Sequence, residues 1–201
     1  MGIMATTTDG NMAYPQVPAG VHKSRCVKII DLGTQRQEFS GEISWKRQVM
    51  LIWEIPEQDN MNGEPMTISK FYTLSLHEKS NLGADLTSWR GRAFTETEKQ
   101  GFDISNLASV TCMLNVLEGK NGKSKISGIM PLPKGDEVAP QYNDTIVFSV
   151  DEYQQGNKEP FNQLSEGIRR MILRCKELED INTDTGDENN GVDLGSDDVP
   201  F

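Results

Sequence analysis

Cysteine and histidine are scarce in this chain of 201 residues, which contains three cysteines and two histidines. Cys26, Cys112 and Cys175 lie far apart and form no Cys-x-x-Cys pair, which argues against a disulfide framework and against a zinc site. The isolated residues His22 and His77 are better explained as ordinary surface or loop side chains than as catalytic groups. This composition suits the reducing cytoplasm, and we expect that localisation.

The sequence also lacks the patterns that mark membrane proteins, secreted proteins and common enzymes. No segment approaches the roughly 20 apolar residues of a membrane-spanning helix, and no basic region followed by an apolar run resembles a signal peptide. There is no Gly-rich phosphate loop, no His-Glu-x-x-His and no Gly-x-Ser-x-Gly. We therefore expect a protein that is not an enzyme, carries no cofactor or metal, and does not associate with a membrane.

Basic residues are absent from the last stretch of the chain. Residues 177–201 contain nine acidic side chains and no Lys or Arg, whereas residues 1–176 contain 21 acidic and 20 basic side chains. The net charge of −10 is therefore almost entirely a property of the C-terminal end. An acidic stretch rich in Gly and Asn cannot bury enough apolar surface to fold, so we predict a disordered tail over 179–201.

The rest of the chain has the pattern of a β-rich body. Apolar and polar alternation predicts five strands, at 21–34, 45–56, 65–76, 109–118 and 124–132. Helical spacing predicts a helical insert between the third and fourth strands, and residues 35–44 are predicted to be a connection or a long bend. This order matches the OB-fold, a five-stranded barrel. We therefore predict a mainly β protein with an OB-fold-like barrel, although any mixed five-stranded domain with one insert would give the same order.

The remaining segments complete the predicted domain organisation. Residues 1–20 are small and polar, and we predict a flexible leader there. The OB-fold-like domain is expected to span residues 21–150. An apolar stripe at helical spacing predicts a helix over 160–178, so residues 151–178 are interpreted as a C-terminal helical extension that precedes the acidic tail.

A surface that binds single-stranded nucleic acid needs cations for the phosphates and aromatic rings for the bases. In an OB-fold, strands two and three line the groove, together with the loops between strands one and two and between strands four and five. Cations and aromatic residues on those elements, or just after the insert helix, form the candidate DNA-binding set. They are Trp45, Lys46, Arg47, Lys70, Phe71, Tyr72, Arg90, Arg92, Lys120, Lys123 and Lys125.

The aromatic residues differ in where alternation places them. Trp53 shares its parity with Val49, which favours core packing. Trp45 has the same parity but begins the strand beside two cations, so core and surface placements both remain open. Phe71 lies on the polar parity of its strand and is the strongest candidate for stacking on a base, whereas Tyr72 is expected to pack inward.

The last five residues carry the most specific signal in the chain. Asp197, Asp198, Val199, Pro200 and Phe201 resemble the acidic tip of bacterial single-stranded-DNA-binding proteins, which ends Asp-Asp-Ile-Pro-Phe. Proline limits the entropy lost on docking, and the terminal Phe needs only an apolar pocket with a basic rim in its partner. These five residues are therefore the candidate partner-binding site.

The long appendages and the divergent body look more like the version of this family that tailed bacteriophages encode. The resemblance implies non-catalytic binding and protection of single-stranded DNA during phage DNA replication, recombination and repair. It also implies that the tip recruits host or phage enzymes of these processes. The residues leave one alternative open, a protein-interaction adaptor or phage structural β protein that does not bind DNA. They also leave open whether the chain forms homo-oligomers.

Overall fold

One long antiparallel hairpin forms the centre of the sheet. The structure, a computed structural model, describes residues 15–77, 79–119 and 122–179. Strand β1 spans Gly20–Phe39 and strand β2 spans Glu42–Asp59. Ser40 and Gly41 join them with φ values of 52° and 82°. Both values lie in the left-handed region that a two-residue type I′ hairpin turn requires.

Four further strands complete the sheet. They are β3 (Pro65–Thr73), β4 (Thr111–Glu118), β5 (Ser124–Met130) and β6 (Ile146–Phe148). The order is β3-β2-β1-β4-β5 with antiparallel neighbours, and β6 pairs with β1 in parallel. The protein is thus mainly β, as predicted, with an open sheet whose hydrogen-bonded order begins at β3 and ends at β5.

Short helices lie in two places along the chain. The insert between β3 and β4 contains α1 (Asn81–Arg90), α2 (Glu96–Gln100) and a 3₁₀ turn (Ile104–Leu107). The C-terminal part contains α3 (Val150–Gln154), α4 (Glu159–Asn162), α5 (Glu166–Leu173) and a second 3₁₀ turn (Lys176–Leu178). The Ser80 side chain caps α1 by accepting a hydrogen bond from the Gly83 amide. Thr95 and Glu98 cap α2 reciprocally. The predicted helical insert is confirmed.

Alternate residues of β2 point into two different apolar cores. Val49, Leu51 and Trp53 belong to the inner core, which α1 and strands β3, β4 and β5 complete. Met50 and Ile52 belong to the outer core on the opposite face of β1 and β2. Because both faces are covered, this part of β2 is apolar almost without interruption, as in strands that are buried on both sides.

Residues 146–178, which we call the C-terminal segment, cover the outer core. Strand β6 extends the sheet beside β1, and the helices bury Phe161, Ile168 and Ile172 against it. Full burial of such a side chain contributes about 1.5–3 kcal/mol. The segment is therefore packed on the sheet as part of the same fold.

The connection or long bend predicted over 35–44 is wrong, because these residues belong to the β1–β2 hairpin. Residues 34–47 form a part of the hairpin, which we call the arm, in which no residue is buried. With no core on either face, the arm carries no apolar alternation for a sequence pattern to detect. Backbone pairing from Thr34↔Arg47 to Phe39↔Glu42 nevertheless extends both strands along it.

The single helix predicted over 160–178 is also wrong, although most of its apolar side chains are buried against the sheet. Ser165 and Cys175 have extended backbone conformations, with ψ of 154° and 151°, and they divide the segment into α4, α5 and a 3₁₀ turn. These breaks bend the chain, so that Leu164, Ile172 and Leu178 all reach the outer core.

Candidate nucleic-acid interface

Phe71 is exposed on β3. It lies opposite Met50 of β2, on the face of the sheet that carries the outer core, and between Ser69 and Thr73 on the polar parity of its own strand. The side chain remains 38% exposed, which confirms the exposure expected from its polar neighbours. An aromatic ring in this position has room to stack on a planar group from solvent.

Trp45 is exposed on the arm, while the other two tryptophans are buried. It pairs with Arg36 of β1 and is 42% exposed. Trp53 and Trp89 lie in the inner core with their ring centroids 5.9 Å apart, which confirms the core placement of Trp53. The structure therefore resolves the two placements of Trp45 in favour of the surface.

Tyr72 and Lys70 are occupied by a contact with the insert. The Tyr72 hydroxyl donates to Asp85 Oδ2 at 2.8 Å, and Lys70 Nζ donates to the same oxygen at 2.6 Å. Burial and the charge of Asp85 both raise the pKa of Tyr72. Tyr72 is only 2% exposed, as its inward parity predicted. This burial separates Tyr72 from the other candidates, since its ring offers no free face to a base.

Arg47 joins three elements of the fold. Its Nη2 atom lies 2.5 Å from Asp31 Oδ2 and 3.0 Å from Asp151 Oδ2, so it links β2 to β1 and α3. The hydrogen bond to Asp31 is the main reason that the pKa of Arg47 is raised. Asp31 Oδ2 also accepts a hydrogen bond from the Val150 amide. Arg47 therefore has a structural role, and a phosphate would have to compete with two carboxylates for it.

Arg90 and Arg92 converge on one carboxylate of the insert. Both arginines are hydrogen-bonded to Glu98, and chiefly the bond from Arg92 lowers the pKa of Glu98 well below its usual range. The guanidinium carbon of Arg90 also lies 4.2 Å from the ring centroid of Phe94 and 5.1 Å from that of Phe102. These contacts hold the insert together and leave both cations partly neutralised.

The candidate lysines of the arm and of the β4–β5 hairpin are exposed wherever the structure describes them. On the arm, Lys46 of β2 lies opposite Gln35 of β1. Lys125 of β5 lies opposite Leu117 of β4. Neither lysine forms an ion pair with any residue that the structure describes. Lys123, two residues before Lys125 in the sequence, is exposed as well.

Six further candidates lie outside the described residues. They are Lys120, Asp197, Asp198, Val199, Pro200 and Phe201. The predicted partner-binding tip and Lys120 therefore stay sequence-based predictions.

Lys176 was missed by the sequence reasoning. Its Nζ atom lies 5.7 Å from the ring centroid of Trp45, within the distance at which a cation is attracted to an aromatic face. The two residues are remote in sequence, and no local pattern connects them. Only the packing of the C-terminal segment beside the arm brings a cation to the exposed tryptophan.

No family model, no curated protein and no solved structure matches this chain. Among the residues that the structure describes, no helix is both long and apolar enough to cross a membrane. Within the same residues, no cluster of three or more His, Cys, Asp or Glu side chains is placed to hold a metal ion.

Proposed function

We propose that this protein binds single-stranded DNA without catalysis and protects it during phage DNA replication, recombination and repair. The observation that carries the proposal is the exposure of two aromatic side chains on adjacent strands, Trp45 on β2 and Phe71 on β3. Exposed rings are suited to stack on unpaired bases, and each such contact contributes about 1–3 kcal/mol. The three free, buried cysteines are consistent with action in the host cytoplasm.

We further propose that the sheet is the wall of an OB-fold barrel. The strand order β3-β2-β1-β4-β5 and the position of α1 between β3 and β4 agree with that topology. Cα atoms of β3 and β5 approach within 8 Å, and α1 contacts both strands. The two edges of the open sheet are thus near one another, with the insert helix beside them.

The phosphate contacts are assigned mainly to cations that the fold leaves accessible. Lys46 and Lys125 have no ion-pair partner within the described residues, whereas Arg47, Arg90 and Arg92 are bonded to carboxylates. For single-stranded nucleic acid, the logarithm of the binding constant falls linearly with the logarithm of the salt concentration. The slope is about −0.7 for each phosphate that the protein neutralises. Because Arg47, Arg90 and Arg92 are already bonded to carboxylates, we expect a modest salt dependence and a large share of stacking in the affinity.

The C-terminal tip is proposed to recruit partner enzymes to the coated strand. This part of the proposal rests on the resemblance of residues 197–201 to the tip of the bacterial proteins. An apolar Phe with a terminal carboxylate, preceded by two acids, suits a small apolar pocket with basic residues at its rim.

One observation favours the second candidate function, a protein-interaction adaptor. Phe39 at the tip of the arm is 83% exposed, and Ile43 is exposed close by. Exposed apolar side chains that lie together, unlike single scattered ones, mark protein-binding surfaces. An adaptor would use this tip and would show no preference for single-stranded DNA.

The deciding experiment is a titration of labelled oligo-dT with the full-length protein at two salt concentrations, with duplex DNA as competitor. Intrinsic fluorescence supplies a second signal, because Trp45 is exposed while Trp53 and Trp89 are buried. We expect saturable binding, little competition by duplex, and a change in tryptophan emission. The absence of binding at low salt would refute the proposal and favour the adaptor.

A further inference from the structure

The C-terminal segment places one cation beside the exposed tryptophan of the arm. Lys176 Nζ lies 5.7 Å from the Trp45 ring centroid, yet Trp45 keeps 42% of its surface exposed. The lysine therefore approaches the ring without covering it. Arg36, directly opposite Trp45 on β1, adds a guanidinium group to the same part of the arm, where it is paired with Glu38 at 2.9 Å.

Packing on both sides of Lys176 fixes its position. Cys175 is buried against Gly33 of β1. Glu177 accepts two hydrogen bonds from Thr34, at 2.8 Å from the amide and 2.6 Å from the hydroxyl. Lys176 lies between these two attachments, so its backbone is held against the base of the arm while its side chain is exposed.

We propose that Lys176 is a phosphate-binding residue of the single-strand site, so that the arm and the C-terminal segment form one composite site. In this site a base stacks on the exposed surface of Trp45, and Lys176 binds an adjacent phosphate of the same strand. This inference rests on the proposed function. It extends the site beyond the strands and loops of the barrel to a part of the chain that the groove of an OB-fold does not include.

The chemistry of the pair suits a nucleotide better than a purely apolar or a purely acidic ligand. An indole ring binds a planar base by stacking, and an ammonium group binds a phosphate as a point charge. Held side by side by the fold, the two groups need little ordering on binding, which lowers the entropic cost of association.

Lys158 provides a matched control within the same segment. Its Nζ atom lies 5.8 Å from the ring centroid of Tyr153, so it makes the same kind of contact as Lys176. Tyr153, however, packs against Phe148 and Phe161 beside the outer core and is not available to a base. Lys158→Gln therefore removes the same charge without touching the proposed composite site.

The test compares Lys176→Gln and Lys158→Gln with the unaltered full-length protein in the oligo-dT titration. We expect Lys176→Gln to weaken binding at low salt about tenfold, as for loss of one hydrogen bond between charged groups. The salt dependence should fall by about 0.7 in logarithmic slope. Lys158→Gln should change the affinity less than twofold. Unaltered far-ultraviolet circular dichroism would show that both variants keep the fold, since both lysines are exposed.

A double-mutant cycle tests whether Lys176 and Trp45 act together. In a Trp45→Leu background, Lys176→Gln should cost clearly less than tenfold, because neighbouring groups that bind one ligand are not additive. Equal effects of the two lysine variants would overturn this inference alone and leave DNA binding intact. Tighter binding by Lys176→Gln would overturn it as well, since Lys176 would then shield Trp45. A protein that does not bind oligo-dT at all would overturn the proposed function and this inference with it.

Discussion

Gly33 is the position at which a single methyl group should separate the arm from the C-terminal segment. Its φ of +68° lies in the left-handed region, and a Cβ atom there would be 2.6 Å from Cys175 Cβ and 2.8 Å from Glu177 Oε2. Cys175 Cβ is fixed to the backbone and cannot rotate away. Gly33→Ala must therefore displace the 3₁₀ turn that carries Lys176.

Gly41 allows two destabilising effects of this substitution to be separated, the left-handed backbone conformation and the steric overlap. Its φ of +82° is similar, but nothing lies within 4 Å of a Cβ atom built on it. Gly41→Ala should lower the free energy of unfolding by about 1–2 kcal/mol, the cost of a left-handed conformation for a residue with a side chain. Gly33→Ala should lose that amount and a further 1–3 kcal/mol or so for overpacking.

Urea denaturation followed by circular dichroism measures the difference. With a slope of about 2 kcal/mol per molar urea, the midpoint of Gly33→Ala should lie roughly 0.5–1.5 M below that of Gly41→Ala. The same variants can be titrated with oligo-dT, where only Gly33→Ala should reproduce the loss expected for Lys176→Gln. Equal midpoints for the two alanine variants would refute the close packing of Cys175 on Gly33.

Three further predictions follow from single contacts. Phe71→Ala should weaken oligo-dT binding by about 1–3 kcal/mol. Tyr72→Phe should leave binding unchanged and lower the free energy of unfolding by about 1–2 kcal/mol, because it loses the hydrogen bond to Asp85. A larger loss of binding in Tyr72→Phe than in Phe71→Ala would contradict the buried placement of Tyr72. Glu54→Gln should lower the free energy of unfolding by about 2–4 kcal/mol, because the fully buried carboxyl group accepts hydrogen bonds from the amides of residues 142 and 143. An unchanged urea midpoint would contradict that contact. Burial would raise the pKa of Glu177, but the bonds from residue 34 outweigh it and hold the pKa below its ordinary value of 4.5. The stabilisation is therefore present above pH 4.5 and is lost as the pH falls through the lowered pKa, so tryptophan emission should change in that range and should not do so in Glu177→Gln.

The strands could be predicted because their cores impose a pattern. On β3, β4 and β5 one face is buried, so apolar and polar residues alternate and the strand positions follow from the sequence. Phe71 was predicted to be exposed for the same reason, because it interrupts a polar face. The caps of α1 and α2 were also predictable, since Ser80 and Thr95 act on amides only three residues away.

The candidate site could be predicted only in part. Side-chain type and strand position selected Phe71, Trp45 and Lys46 as candidates, but they could not show which cations are already paired. Arg47 meets Asp151 only after the C-terminal segment has folded over β1 and β2. The two carboxylates that occupy Arg47, those of Asp31 and Asp151, lie 16 and 104 residues away in the sequence, and local spacing carries no information about them.

The sequence by itself determined the β-rich class, the strand order along the chain, the helical insert and the segregation of acidic charge to the end, because these features depend on local periodicity and composition. Only the tertiary structure decided that the arm is a paired hairpin, that the C-terminal segment breaks into short helices, and that Lys176 lies beside Trp45. The arm is held by backbone pairing between its two strands, which leaves no apolar pattern in the sequence. The breaks in the C-terminal segment and the position of Lys176 depend on packing against the outer core, which exists only when the sheet and the segment meet.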